Sequence, residues 1–443
     1  MTILDHQTHV VPPSSRATPT GGVAALLARA LAPVAGGDLP VHLTAWDGST
    51  AGPEDAPHVV LRSPDALRRL LWHPGELGVS QAYVTGELDV EGDLGAALTH
   101  LREVATRRGL SGTRSTPALI AAAVRTAKEV GALGAPLPAP RSQARISGRL
   151  HSARRDRQAI HHHYDLSNDF YSLVLDPHMA YSSGYWTSDD SSYGVQDAQR
   201  DKLDLVCRKV GLEPGMRFLD VGCGWGSLSL YAAEHFGAQV TGVTIAKEQK
   251  AFIDNRIRER GLEDRVEIRL QDYRDVRDGD FGAIASLEMG EHVGEKNYAT
   301  YVEVLRRNVV DGGRVLVQQM SRRGRHPGGG PFIESFIAPD MTMRPIGETV
   351  DFFERGGLEV RDVHMMREHY VRTIAAWHDT FEGNWDRAVS LVGEEVARVW
   401  RLYLVGSLAA FRDGRMGVDQ ILAVRNDSRG HNDLPWVRPS TWS

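Results

Sequence analysis

The sequence predicts an α/β fold, a Rossmann-like doubly wound sheet preceded by a small α+β domain. Three observations predict it. Short apolar runs alternate with stretches of helical spacing after Ile160. A glycine-rich loop, Gly222-Cys223-Gly224-Trp225-Gly226, follows one of those runs directly. The first hundred residues instead mix one helical and one strand-like pattern, and the 443 residues leave room for at least two domains.

Residues 1–20 carry Pro12, Pro13, Ser14 and Ser15 without an apolar period and read as a flexible tail. Residues 21–105 read as the N-terminal domain, helical through Val23, Ala24, Ala25, Leu26 and Leu27 and strand-like over 40–46. Residues 106–157 concentrate arginine, among them Arg107, Arg108, Arg114, Arg125, Arg141 and Arg145, with Pro117, Pro136, Pro138 and Pro140. That composition reads as a basic linker, either a solvated tether or a contact for anionic lipid headgroups, where each basic residue adds ~1 kcal/mol.

Residues 158–443 form the second domain. Its strands are expected over 217–221, 239–245, 283–287 and 314–317, with helices after Leu228, from Gln249 to Arg260 and from Tyr298 to Asn308. An apolar insertion over 332–343 and helices over 374–381 and 396–411 read as core or as walls of a ligand site.

Charge and cysteine content narrow the function classes. Lys+Arg 51 against Asp+Glu 57 gives a formal charge of -6, which supplies no global attraction for nucleic acid. Cys207 and Cys223 are too few for a disulfide framework and fit a reducing cytoplasm. The N-terminus lacks the order of a signal peptide, and no apolar run approaches the ~20 residues of a bilayer span. A cytoplasmic protein that meets the inner face of the membrane from its surface is expected.

The glycine loop points to a cofactor. A dinucleotide fold expects an acidic residue about 20 residues on, at the end of the second strand. That place holds Thr244-Ile245-Ala246-Lys247 instead. The spacing Gly222, Gly224, Gly226, with Asp220 ahead of it, favours S-adenosylmethionine, whose amino group Asp220 is placed to receive. Cys223 sits between two glycines with no histidine partner and reads as structural. His161, His162 and His163 are adjacent and lack further ligands at fitting spacing, so no metal is expected.

Several ordered motifs resemble the cyclopropane fatty acid synthases and their mycolic acid methyltransferase relatives, which are class I S-adenosylmethionine methyltransferases. They are His163-Tyr164-Asp165 with Asn168-Asp169, the run from Met179 to Trp186, the glycine loop, Gly242-Val243-Thr244 with Gln249, the run from Leu270 to Asp275, and Glu291-His292-Val293-Gly294 with Asn297-Tyr298. The resemblance spans about 157–425, with a weaker echo of a lipid-handling N-terminal domain over 78–93.

The resemblance implies methyl transfer to the cis double bond of an unsaturated acyl chain in a phospholipid at the membrane surface. An alkene is a weak nucleophile, so the methyl must be held in line with it. The resulting carbocation needs shelter from water beside aromatic faces. Tyr181 and Ser182 are expected at the methionine carboxylate, and Thr244, Gln249, Gln271, Asp272 and Tyr273 elsewhere along the cofactor. For Asp272 the alternative is a loop cap.

Bicarbonate is the base that the resemblance implies, held at Ser183, Glu291, Gln318, Met320 and Tyr370. Ser183 stands where the family usually has cysteine, Gln318 where it has histidine, and Gly290 where an aromatic residue precedes the glutamate. Glu291 lies just past strand 283–287, where doubly wound folds bind ligands. His292 is placed either to assist it or to cap a turn.

Because the departures cluster where the proton leaves, a methylene product is expected. A separate reductase would convert it to a methyl branch, as in tuberculostearic-type acids. Ring closure to a cyclopropane is the alternative. A methyltransferase for small molecules or proteins and a non-catalytic lipid-binding protein are the rival classes. A homodimer would let two basic linkers face one membrane.

Overall fold

The computed structural model describes residues 21–110, 117–148, 150–151, 155, 167–324 and 328–442. The chain forms two compact units that divide between Pro138 and Ala139.

In the first unit the helix Gly22–Ala35 accompanies a four-stranded sheet of β1 (His42–Thr44), β2 (Thr50–Ala51), β3 (His58–Leu61) and β4 (Leu88–Glu91), ordered β2-β1-β3-β4. Only the β1–β3 pair is parallel. Val23, Ala24, Leu27, Leu43, Leu61 and Ala82 form the core.

The stretch read as a basic linker is partly structured. It contains the helix Pro117–Glu129, and Ala127, Val130 and Ala132 are buried in the first unit's core. Arg125 and Lys128 remain exposed, so the charge that dominates the composition lies on the face opposite the buried one. The following turn is tied to the helix Asp65–Trp72, whose Trp72 donates through Nε1 to the Gly134 carbonyl at 2.9 Å.

The second unit is built on seven strands: β5 (Arg217–Val221), β6 (Gln239–Thr244), β7 (Val266–Leu270), β8 (Phe281–Leu287), β9 (Val309–Arg322), β10 (Glu359–Met365) and β11 (Met416–Val424). Their order is β10-β11-β9-β8-β5-β6-β7. Pairing is parallel from β9 through β7, while β11 is antiparallel to both β9 and β10. The sheet is therefore mixed and mostly parallel, with β11 alone running against the rest.

Strands buried on both faces need apolar residues at successive positions. Phe218 enters one core layer with Val206 and Leu230, while its neighbours Leu219 and Val221 enter the opposite layer with Ile284 and Tyr298. Complete burial of a side chain such as Phe218 is worth roughly 1.5–3 kcal/mol.

A third cluster is rich in aromatic rings. Phe170 and Tyr171 of the helix Asn168–Val174 pack with Trp377 and Phe381 of Arg367–Gly383 and with Trp400 and Phe411 of Glu394–Arg412. These positions on the later helices are core. In the insertion, Phe332 and Phe336 stack at 5.5 Å, and Met341 and Met343 are buried. Among the described residues no helix is long and apolar enough to cross a membrane.

Candidate active site

The parallel strands end at a pocket on their carboxyl edge, beside β5 where the chain crosses to opposite sides of the sheet. The loop after β5 turns there because Gly222 takes φ +79°, and a Cβ at that position would lie 3.1 Å from the Met289 side chain. Gly222 and Gly224 line the pocket. Gly226, expected with them, lies outside its wall and acts in packing: at φ +82° it starts the helix Ser227–Phe236, where a Cβ would meet Ile253 at 2.9 Å.

Asp220 lines the pocket at the end of β5, and the Ser229 hydroxyl donates to it at 2.7 Å. Burial pushes its carboxyl up to about 6. On the next strand, Thr244 donates to Gln249 Oε1 at 2.9 Å and accepts from the Ala246 amide at 3.1 Å, which fixes Gln249 at the pocket wall. The Gln271 amide donates to the Thr244 carbonyl at 3.0 Å, bringing Gln271, Asp272 and Tyr273 to the same wall. The Asp272 carboxylate pairs with Arg274 at 2.6 Å and accepts from the Arg274 amide at 3.0 Å. It is thus a loop cap that also faces the pocket.

Tyr181 and Ser182 line the opposite side. The Tyr181 hydroxyl donates to Tyr403 at 3.0 Å, and its ring lies 5.4 Å from Trp377 and 6.5 Å from Trp225. The Ser182 hydroxyl accepts from Lys202 Nζ at 2.7 Å. Lys202 was not expected from the sequence. It is fully buried on the helix Val195–Val210, and desolvation pulls its ammonium down to about 8 against the charges of Asp176, Glu288 and Asp220. Its signal, one lysine on an amphipathic helix, is shared by any solvated helix face.

The acid–base residues gather where β8 and β9 end. Glu291 is completely buried and is not part of the pocket wall; Glu288, three residues earlier, is. The Gln318 amide donates to Glu288 Oε1 at 3.0 Å and its own Oε1 accepts from Gln420 at 3.0 Å. Burial raises Glu288 above the usual carboxylate range, opposed by hydrogen bonds from Gln318 and Glu291, the Lys202 charge and the Ser183 amide. Burial and the neighbouring Glu288 charge hold Glu291 well above that range. Glu288 also takes a left-handed φ of +51°, unusual for a residue with a Cβ.

Glu288 has no local motif of its own and stands beside the more conspicuous Glu291-His292 pair. A charged residue directly after a central apolar strand was the available signal. His292 lines the pocket, and burial together with the nearby His151 lowers its imidazole to about 4, which keeps it neutral. Tyr370 is packed in the aromatic cluster, its ring 4.7 Å from Phe411 and 6.0 Å from Trp377.

Three of the five positions that the resemblance assigns to bicarbonate, Ser183, Gln318 and Glu291, are not poised to hold an anion. Ser183 donates its hydroxyl to the Gly184 carbonyl at 3.0 Å, both polar ends of the Gln318 amide are engaged, and Glu291 brings a buried carboxyl. An anion there would lie against the two acidic side chains Glu288 and Glu291, with the Ser183 hydroxyl and the Gln318 amide already engaged.

Among the described residues no group of three or more His, Cys, Asp and Glu is arranged to hold a metal ion. His161, His162, His163, Tyr164 and Asp165 lie outside the described residues. Cys223 borders the pocket, but burial raises its thiol well above the usual value, which keeps it protonated.

Comparison with known proteins agrees with this geometry. The family model for mycolic acid cyclopropane synthetase matches residues 151–421. The chain is 36% identical over 408 residues to a "Probable fatty acid methyltransferase" of Pseudomonas putida, covering 90% of this chain and 95% of that protein. It is 37% identical over 415 residues to a protein of the same description in Mycobacterium tuberculosis, covering 91% and 96%. A crystal structure of a mycolic acid cyclopropane synthase complexed with SAH and CTAB superposes with a TM-score of 0.57 at 30% identity, over 61% of this chain and 98% of that one. With its seven-stranded sheet and glycine-loop pocket, the chain belongs to the mycolic acid cyclopropane synthetase family, and S-adenosylmethionine is its methyl donor.

Proposed function

We propose that the protein transfers a methyl group to the cis double bond of an unsaturated acyl chain carried by a phospholipid, through a carbocation, and releases a methylene-bearing chain. The observation that carries this reading is the carboxyl pair of buried Glu291 and half-buried Glu288, opening through Glu288 onto a donor pocket walled by Tyr181 and Trp225. Two relatives aligned over nine-tenths of the chain and described as fatty acid methyltransferases support the acyl substrate.

The residues present fit the donor: glycine backbone at Gly222 and Gly224, a carboxyl at Asp220 and the Lys202–Ser182 pair converge on one pocket. When bound, S-adenosylmethionine supplies an electrophilic methyl on a sulfonium. Asp220 accepts from its amino group, and Ser182, polarised by Lys202, faces its carboxylate. The electron-rich faces of Tyr181 and Trp225 stabilise positive charge on the acceptor chain while excluding water. Lipid approaches from the inner membrane surface, basic residues of 106–157 meet anionic headgroups, and a separate reductase acts on the methylene product.

Expression in a host rich in monounsaturated phospholipid, followed by mass spectrometry and proton NMR of the fatty acids, tests the reading. A one-carbon mass gain with vinylidene protons is expected. Cyclopropyl protons overturn the product assignment in favour of ring closure. Unaltered acyl chains overturn the substrate.

A further inference from the structure

We infer that Glu288 is the catalytic base, a carboxylate built into the chain that takes the proton from the carbocation in place of a bound bicarbonate. This rests on the reading of methyl transfer to an alkene given above.

Position is the first argument. Glu288 lines the same pocket as Tyr181, Asp220, Gly222 and His292, whereas Glu291 does not reach it. The side chain faces that pocket from a backbone with φ +51°, a conformation that L residues avoid unless the surroundings impose it. Its carboxylate is then fixed on one side: Gln318 donates to Oε1 at 3.0 Å, and Gln318 is itself oriented by Gln420. Oε2 is buried with no donor in hydrogen-bonding geometry among the described residues, and the carboxyl's other neighbours are Glu291 and the Ser183 amide.

Charge is the second argument. A fully buried carboxyl hydrogen-bonded to a half-buried one shares a single negative charge with it at neutral pH, because ionising both would set like charges together in a low dielectric. Glu291 lies the deeper of the two, and its burial and the neighbouring Glu288 charge outweigh the backbone amides of Glu291 and Met320 that favour its charged form. It therefore keeps the proton and directs it at Glu288, and the charge rests on Glu288, which also carries the Gln318 side-chain amide. Glu291 is the positioning residue of the pair. A bicarbonate drawn into this place would add a second anion against the first.

The step balances without a further reactant. Methyl transfer forms a carbon–carbon bond from the π electrons of the alkene as the carbon–sulfur bond of the donor breaks, leaving S-adenosylhomocysteine and a carbocation. A hydride shift to the cationic carbon moves the positive charge to the carbon bearing the new methyl. Glu288 then removes a proton from that methyl, and the C–H electron pair becomes the exocyclic π bond. The neutral Glu288 acid returns its proton to water when the product leaves.

The test uses the full-length enzyme with vesicles of monounsaturated phospholipid and S-adenosylmethionine. In buffer stripped of carbon dioxide, wild-type turnover is expected to be unchanged by added bicarbonate. Glu288→Gln is expected to lower kcat by ~100-fold or more, the range for loss of a general base, while S-adenosylmethionine binding in calorimetry stays within about threefold. Glu288→Gly suits the left-handed backbone and opens space for a small carboxylate, so added formate is expected to restore activity at least about tenfold, as a positioned base would.

Bicarbonate-dependent wild-type turnover overturns the inference, as does near-normal kcat in Glu288→Gln. Wild-type enzyme that methylates no unsaturated lipid overturns the substrate reading itself, an outcome distinct from both. The bicarbonate measurement stands even if a Glu288 variant fails to fold.

Discussion

Glu288 and Gln318 are joined twice across the parallel pair β8–β9: the Glu288 amide donates to the Gln318 carbonyl at 2.7 Å, and the Gln318 side chain donates to the Glu288 carboxylate at 3.0 Å. The second bond favours the charged carboxylate and opposes the upward pull of burial. Gln318→Leu removes it, so the carboxyl titrates at higher pH. Activity that needs the ionised form is lost as pH falls through that value, and the acid limb of kcat/KM should move upward. A loss of about tenfold or more on that limb is expected, the size of a hydrogen bond to a charged group. An unmoved limb would separate Gln318 from the titrating group.

Asp220 links pH to stability. Its carboxyl titrates at about 6 in the folded chain, against an ordinary value of 3.8. The folded state therefore holds a proton that the unfolded state releases between these values. The stability this confers is full below pH 3.8 and is lost as pH rises through about 6, after which the buried charge costs about 3 kcal/mol. Asp220→Asn should raise the melting temperature by several degrees at pH 8 and much less at pH 4, while weakening S-adenosylmethionine about tenfold through loss of a charged acceptor. Thermal melts at the two pH values, with calorimetry, measure both effects.

Thr244 holds Gln249 by its hydroxyl and caps the following turn through the Ala246 amide. Thr244→Val keeps the shape of the side chain and removes both bonds. The dissociation constant for S-adenosylmethionine should rise by about tenfold, with kcat at saturation little changed, because positioning bonds of about 1 kcal/mol each are lost. A kcat effect without a binding effect would move Thr244 from the cofactor wall to the reaction step.

Gly222→Ala places a methyl group in a left-handed backbone and against Met289. The conformational penalty alone is roughly 1–2 kcal/mol. Reduced stability in denaturant titration is expected together with weakened cofactor binding. A variant as stable as the parent would show that the loop relaxes around the new atom.

What the sequence made legible follows from where each element is buried. β5, β6 and β8 are central and parallel, so their apolar runs are continuous, and the glycine loop between β5 and its helix announced the donor pocket. β7 and β10 lie at the edges and alternate apolar with charged residues, as in Val266-Glu267-Ile268-Arg269-Leu270, a pattern that short surface segments share.

β11 escaped for a different reason. Asp419 and Gln420 interrupt its apolar run, yet both are buried, and Gln420 is spent on Gln318. The pocket-lining residues Tyr181, Asp220, Thr244 and Gln271 were legible because local motifs carry them. Lys202 and Glu288 depend on contacts between distant segments, which no local motif displays. The helix Pro117–Glu129 was hidden by the arginines on either side of it, since composition averages over a helix and its flanks.

The reversed strand β11 sits between β9 and β10 and carries Gln420, the residue that orients Gln318. It follows β5, β6, β8 and β9 in the sequence, so Gln318 is supported by a residue 102 positions further along the chain. Truncation before β11 would keep the glycine loop and the strands around it but leave Gln318 on an unpaired sheet edge.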